Sequence, residues 1–261
     1  MARTTVVTGA ASGIGAAVVE LLSAGGDRVI GVDRADAEVV ADLSTADGRR
    51  AMVEQVDTLS GGRVDAVVAN AGVMGNDTGA IVAVNFFGAV ATLGGLQPYL
   101  AASDAPRAVA TASVALLQGV DPKLVALCLA GDEPAALEHV ARAGVDPLAG
   151  YASTKRALAR WIRARAVEPE WAGAGIALNA VAPGVVRTPM TAPLLADEAM
   201  SAVLLDLVPM PLGGVADPAA IARLLVTFTR PELAAVTGQV LFADAGGECV
   251  QRGDDVWGRG G

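Results

Sequence analysis

The sequence predicts an α/β fold in which a doubly wound parallel sheet is covered by helices on both faces. Three observations carry it. Short β-branched runs alternate with helical segments along the chain, the rhythm of βαβ units. Several runs are apolar on both faces, as strands covered from each side must be. A glycine-rich turn lies between the first run and the first helical segment, as the opening βα turn of such folds requires.

The elements follow in order. Strands are expected at Thr4–Thr8, Arg28–Val32, Val64–Asn70, Arg107–Ala112, Ile176–Ala182 and Gln239–Ala243, with a short one near Val39–Ala41. Helices are expected near Ile14–Ala24, Thr45–Thr58, Ala80–Ala101, Ala152–Glu168 and Pro218–Phe228. One segment breaks the rhythm: 37 residues, Val114 to Gly150, separate a strand from the helix that should follow it. Within them Asp121-Pro122, an apolar run and Gly131 read as N-cap, first helical residue and C′ of a short helix, and Asp132 through Gly144 repeats the pattern. The connection is therefore read as a two-helix insertion. No linker or repeat divides the chain, so one domain is expected over 1–261.

Composition excludes several classes. Apolar residues make up 53% and the 31 glycines bring the total to about 65%, above the usual 45–50% counted the same way. Only 18% of residues are charged, which excludes disorder. The net charge of −9 and the absence of any basic run beyond Arg49-Arg50 argue against nucleic acid, whose phosphates need a basic face. Cys128, Cys249 and the lone His139 have no metal-ligand or disulfide-framework spacing, so no metal is expected. Thr78 to Ser103 is uncharged over 26 residues but holds Asn85, Gln97, Pro98 and four glycines, and is read as a helix buried in the protein, not a membrane span. No signal-peptide pattern follows Met1-Ala2-Arg3-Thr4, and a cytoplasmic protein is expected.

The turn after the first strand is Thr8-Gly9-Ala10-Ala11-Ser12-Gly13-Ile14-Gly15. Its glycines permit a tight turn, close backbone approach to a pyrophosphate and close packing of the next helix, whose N-terminus offers N–H groups to the phosphates. The second strand ends at Asp33, 18 residues beyond Gly15. A carboxylate there accepts hydrogen bonds from the adenosine ribose and repels a 2′-phosphate, so NAD is expected over NADP. A solvated strand-end Asp is the bland alternative, and Arg34 beside it could greet a 2′-phosphate.

Further motifs follow in order: Asp42-Leu43, Asn70-Ala71-Gly72 after the fourth strand, Asn85-Phe86-Phe87-Gly88, Ser113, Tyr151-Ala152-Ser153-Thr154-Lys155, Pro183-Gly184 with Val186 and Thr188, and Asp244-Ala245-Gly246-Gly247. Together with Gly9-x3-Gly13-x-Gly15 they resemble the short-chain dehydrogenase/reductase family over nearly the whole chain. Two departures are Ala69, where a second Asn is frequent, and Ala245, where Gly is usual. The resemblance implies a Rossmann fold and a nicotinamide cofactor held by Gly9, Ser12, Gly13, Ile14, Gly15, Asp33, Asp42, Leu43, Asn70, Ala71, Gly72, Pro183, Gly184, Val186 and Thr188. It also implies catalysis by Asn85, Ser113, Tyr151 and Lys155, the last two also touching cofactor. A closer resemblance, to the bacterial 3α-hydroxysteroid dehydrogenase/carbonyl reductases of that family, rests on Asp36 through Thr45 and on the insertion.

The chemistry fits these residue types. Tyr151 and Lys155 are four apart and share a helix face. A free phenol has a pKa near 10, and a nearby ammonium is expected to bring it down toward the working range. Tyr151 then exchanges a proton with the substrate oxygen, Ser113 holds that oxygen, Lys155 also holds the nicotinamide ribose, and Asn85 keeps a water near Lys155. Each has a bland alternative: a strand-end serine, a polar group on a buried helix, a solvated lysine. Yet Lys occurs only at 123 and 155 against 17 Arg, which suggests a need for a compact ammonium at 155. His139 is read as a helix-surface residue and Cys128 as a small core side chain. Met190, Leu194, Leu195, Met200, Val203, Leu204, Leu205, Leu207, Val208 and Met210 populate 188–215, which would suit a bulky apolar substrate if the segment covers it. The expectation is an NAD-dependent dehydrogenase of a small apolar alcohol or ketone, above all a hydroxysteroid, working as a homo-oligomer with a dimer favoured over a tetramer. The alternatives are a terpene- or alicyclic-alcohol dehydrogenase and a non-catalytic cofactor-binding regulator.

Overall fold

The structure, a computed structural model, describes residues 2–254. Met1 and residues 255–261 lie outside that range, and with them the two ends of the domain expected over 1–261 and the first residue of the N-terminal reading.

Seven parallel strands form one sheet in the order β3-β2-β1-β4-β5-β6-β7. They are β1 (Thr4–Thr8), β2 (Arg28–Asp33), β3 (Val39–Val40), β4 (Ala66–Ala69), β5 (Arg107–Thr111), β6 (Ala177–Pro183) and β7 (Val240–Ala243). Adjacent strand residues point to opposite faces, so two apolar layers form from consecutive valines. Val6 packs with Ile30, Val67, Ala108 and Ala180 under α2 (Ala46–Ser60), α4 (Ala89–Ala101) and α7 (Pro147–Arg165). Val7 packs with Val68, Val109 and Val181 under α1 (Gly13–Ala24) and α10 (Pro218–Phe228). The expected doubly wound sheet is present, and chain order reverses between β1 and β4, which opens a crevice beyond their carboxyl ends.

Boundaries moved where side chains cap or break an element. The fourth strand covers Ala66–Ala69, not Val64–Asn70, because the Val64 N–H donates to the Tyr99 carbonyl and the Asn70 N–H to Thr8 Oγ1. α7 starts at Pro147, not Ala152: Asp146 Oδ1 accepts from the Leu148 and Ala149 N–H groups, and Pro147 fills the first helical position. The charge-free helix begins as α3 (Thr78–Val82), passes through a π-helical turn at Ala83–Gly88 and continues as α4. It is long and apolar enough to cross a membrane, but 61% of its apolar window is buried inside the fold.

The insertion consists of a 3₁₀ turn (Val114–Leu117), α5 (Pro122–Ala130) and α6 (Glu133–Ala143), with Asp121 and Asp132 as N-caps and Gly131 and Gly144 left-handed at the ends, as their sequence pattern predicts. It lies against α7 and α3. The Asp121 N–H donates to Ser153 Oγ at 2.9 Å, Arg156 reaches the Leu116 and Gln118 carbonyls, and Thr78 Oγ1 donates to the Val145 carbonyl at 3.0 Å. His139 is not a plain surface residue: its Nε2 lies 2.9 Å from Asp121 Oδ2 and its side chain is 13% exposed, so it locks α6 to the start of α5. Cys128 is buried in the core between these helices, as expected. After β6 come α8 (Ala192–Ala196) and α9 (Glu198–Leu207), neither with a buried side chain, and α11 (Gly247–Arg252) follows β7.

Candidate active site

One cleft of about 990 Å³ lies beyond the carboxyl ends of β1, β4, β5 and β6. Its floor is the glycine-rich turn. Gly9 and Gly13 hold φ of +69° and +55°, and a Cβ on Gly15 would sit 1.9 Å from the Gly9 carbonyl oxygen. Those empty positions bring backbone N–H groups and the start of α1 to the cleft, a cradle of the shape and polarity a pyrophosphate needs. Ser12 precedes α1 without spending its hydroxyl on a cap. Asp33 lies beside the turn, its Oδ2 accepting from the Ala11 N–H at 3.0 Å and its Oδ1 from the Arg34 N–H at 2.7 Å. Asp42 and Leu43 line the same end, and the Ser44 hydroxyl and N–H hold the Asp42 carboxyl below its ordinary range. These residues fit an adenine dinucleotide.

Asn70 lines the cleft, but its side-chain amide is bonded to neighbouring strands. Its Nδ2 donates to the Thr8 carbonyl and its Oδ1 accepts from Thr111 Oγ1 at 2.9 Å, while Thr8 Oγ1 accepts from both the Asn70 and Ala71 N–H groups at 3.0 Å. Asn70 therefore pins β1, β4 and β5 at the crevice. Thr8 and Thr111 were not singled out in the sequence, where strand-end threonines carry no distinctive signal. Gly72 has the room its type implies: a Cβ there would press on Asn85 Oδ1 at 3.3 Å and approach Lys155 Nζ at 3.7 Å.

Asn85 sits in the π-helical turn and is wholly buried. Its Oδ1 accepts from the Val73 N–H at 2.7 Å and its Nδ2 donates to the Val73 carbonyl at 2.9 Å. The side chain thus fixes the strand-end loop and, unlike Ser113, Tyr151 and Lys155, is not among the residues lining the cleft. Such an extra turn residue is common at functional positions because it re-aims a side chain. Pro183, Gly184, Val186 and Thr188 close the opposite wall. A Cβ on Gly184 would meet Met210 Sδ at 2.9 Å, and Thr188 lies over Gly13 and is held by Thr191.

Ser113, Tyr151 and Lys155 converge in the middle of the cleft. Ser113 starts the 3₁₀ turn as its cap, and α7 carries the other two on one face. Lys155 is buried, donates from Nζ to the Thr111 carbonyl at 2.8 Å and stands 5.7 Å from the Tyr151 ring centre. Burial pushes the Lys155 pKa down to about 8. Burial pushes the Tyr151 phenol up, and the Ser113 hydroxyl works against it. This corrects the expectation that the ammonium lowers the phenol: both groups share a poorly hydrated pocket, which favours their neutral forms. The far end of the cleft is apolar, lined by Met74, Val114, Leu148, Met190, Leu204 and Leu207 among others. Among the described residues lining the cleft the basic ones are Arg34 and Lys155, and no cluster of three His, Cys, Asp or Glu stands ready for a metal.

Residues 3–124 match the family model described as short chain dehydrogenase, and residues 135–248 match one described as Enoyl-(Acyl carrier protein) reductase. The chain is 36% identical over 255 residues to a 3-alpha-hydroxysteroid dehydrogenase/carbonyl reductase of Comamonas testosteroni, covering 95% of this chain and 97% of that protein. It is 30% identical to a cis-4-hydroxycyclohexanecarboxylate dehydrogenase of Sinomonas cyclohexanicum, covering 94% and 96%. Among solved structures, the 3-alpha-hydroxysteroid dehydrogenase of Pseudomonas sp. B-0831 complexed with NADH superposes with a TM-score of 0.89 at 38% identity, covering 96% of this chain and 98% of that one.

Proposed function

The chain belongs to the short-chain dehydrogenase/reductase family, and from that premise we propose that it is an NAD-dependent oxidoreductase interconverting a secondary alcohol and its ketone on a bulky apolar substrate, a hydroxysteroid before others. The observation that carries the reading is one continuous cleft, which runs from Asp33 through Ser113, Tyr151 and Lys155 to an apolar far end. Bound nicotinamide dinucleotide supplies the hydride donor or acceptor. Gly9, Ser12, Gly13, Ile14 and Gly15 hold its phosphates, Asp33, Asp42 and Leu43 its adenosine half, and Asn70, Ala71, Gly72, Pro183, Gly184, Val186 and Thr188 the remainder.

In reduction the Tyr151 phenol gives its proton to the oxygen of the carbonyl as charge develops there, and in oxidation the phenolate takes the hydroxyl proton. Ser113 hydrogen-bonds the same oxygen and keeps it at Tyr151. Lys155 holds the nicotinamide ribose, and Asn85 orders the loop facing it. The segment 188–215 covers the substrate with Leu194, Leu204 and Leu207. Asp33 favours NAD, since a carboxylate at the ribose repels a 2′-phosphate. The presence of both Tyr151 and Lys155 in one cleft speaks against a non-catalytic regulator.

The steroid choice leans on overall similarity and on cleft size. The alicyclic alternative draws on the Sinomonas relative, whose substrate as named carries a carboxylate; the apolar end here has no lining Lys or Arg to pair with one. Two free cysteines suit a reducing, cytoplasmic setting. The test is a screen of steroid and monocyclic alcohols with NAD and NADP, following NADH or NADPH absorbance. A 3α-hydroxysteroid should give the highest kcat/KM, with NAD; a higher kcat/KM for NADP would overturn the cofactor choice, and preference for small cyclic alcohols the substrate choice.

A further inference from the structure

The loop carrying Asp42 and Leu43 has little backbone support of its own. It leaves β3, an edge strand of two residues that pairs only through Val32↔Val39 and Asp33↔Val40. Side chains must therefore hold it, and one buried arginine does so. Arg49, on α2, is 8% exposed. Its Nε donates to the Leu43 carbonyl at 2.8 Å and its Nη2 to the Ser44 carbonyl at 3.2 Å and the Ala83 carbonyl at 3.1 Å. Ala83 is the first residue of the π-helical turn that carries Asn85. Gly88, in the same turn, packs so closely that a Cβ would lie 3.1 Å from the Leu43 carbonyl oxygen.

The charge that keeps Arg49 in place comes from the insertion. Glu133, at the first turn of α6, takes Nη1 and Nη2 on its two carboxylate oxygens at 2.6 Å each. Paired, planar donors and a bidentate carboxylate give the guanidinium a fixed orientation that a lysine cannot reproduce. Without the carboxylate a buried guanidinium is left uncompensated, and it would turn out toward water and release the three carbonyls.

We propose that Arg49 is a positioning residue for the adenosine half of the cofactor and that Glu133 makes the insertion part of the dinucleotide site. The proposal rests on the dinucleotide reading above. Its consequence is that α6 of the insertion tunes cofactor affinity through one ion pair.

The test uses the full-length protein and the variants Glu133→Gln and Arg49→Lys. NADH is titrated directly by fluorescence, and ADP-ribose, which has the adenosine half but no nicotinamide, is measured as a competitor. In both variants the NADH Kd and the ADP-ribose Ki should rise together by roughly fivefold or more, the lower end of a coupling between sites. KM for the dinucleotide should rise with them while KM for the alcohol stays put. A purely structural role lowers Tm but leaves Kd and Ki within twofold of wild type, and that result overturns the proposal. Should Arg49→Lys fail to fold, Glu133→Gln still decides, because Glu133 is partly exposed and its replacement keeps the shape. A wild-type protein that binds neither NADH nor NADPH would overturn the dinucleotide reading itself, before any variant is compared.

Discussion

Tyr151 is where the chemistry depends on a single atom. Burial holds its proton to higher pH than an ordinary phenol, so the neutral donor form dominates through neutral pH. Reduction, which needs that donor, should therefore run well at neutral pH, whereas oxidation, which needs the phenolate, should climb as pH rises into the alkaline range. Tyr151→Phe should lower turnover by about 10²–10⁴ in both directions and erase the alkaline rise, with NADH affinity little changed; pH–rate profiles of the two proteins check it. Retained activity in the variant would refute the proton role. At this scale the sequence was informative where chemistry needs a rare residue at fixed spacing, as with Tyr151 and Lys155. It was silent where a residue acts across distance: Arg49 meets Glu133 across 84 positions and Thr8 meets Asn70 across 62, and no local period records such pairs. His139 was misjudged for a related reason, since its partner Asp121 lies on a different helix.

At the scale of elements, the two Asp-capped helices of the insertion are legible from sequence alone, because cap chemistry is local. The same signal at Asp146-Pro147 starts α7 five residues before the expected Ala152. The short strand β3 and the loop after it were only partly legible, for two residues carry almost no pattern. The end of β2 is the element that should choose between dinucleotides. Asp33→Ala should weaken NAD binding and relax discrimination against NADP, since the repelling carboxylate is gone. The structure adds a second effect: Ala11 loses its acceptor, so the phosphate turn loosens and part of the loss should be common to both cofactors. Comparing kcat/KM for NAD and NADP in wild type and variant separates the two contributions.

For the whole molecule, the insertion should decide which surfaces are open to a second subunit. Its helices lie on α3 and α7, the elements next to the Asn85 turn and bearing Tyr151. With those faces covered inside one chain, association should use another surface and favour a two-fold dimer. Sedimentation should give a dimer; a tetramer, with the insertion readily cut by protease, would refute the obstruction. The doubly wound parallel sheet is legible because the central strands are apolar on both faces, while the packing of an insertion depends on surfaces that no single segment encodes. One feature also shapes the thermodynamics of binding. α8 and α9 bury no side chain of their own, and Met190, Val203 and Leu207 stand exposed near the cleft mouth. An apolar ring entering the cleft would cover Leu194 and Leu207 and extend the apolar cluster on which Leu204 already packs. Substrate binding then resembles the completion of a small core, and titration calorimetry on the NADH complex should record a clearly negative heat-capacity change, larger in size than the ligand's own surface accounts for.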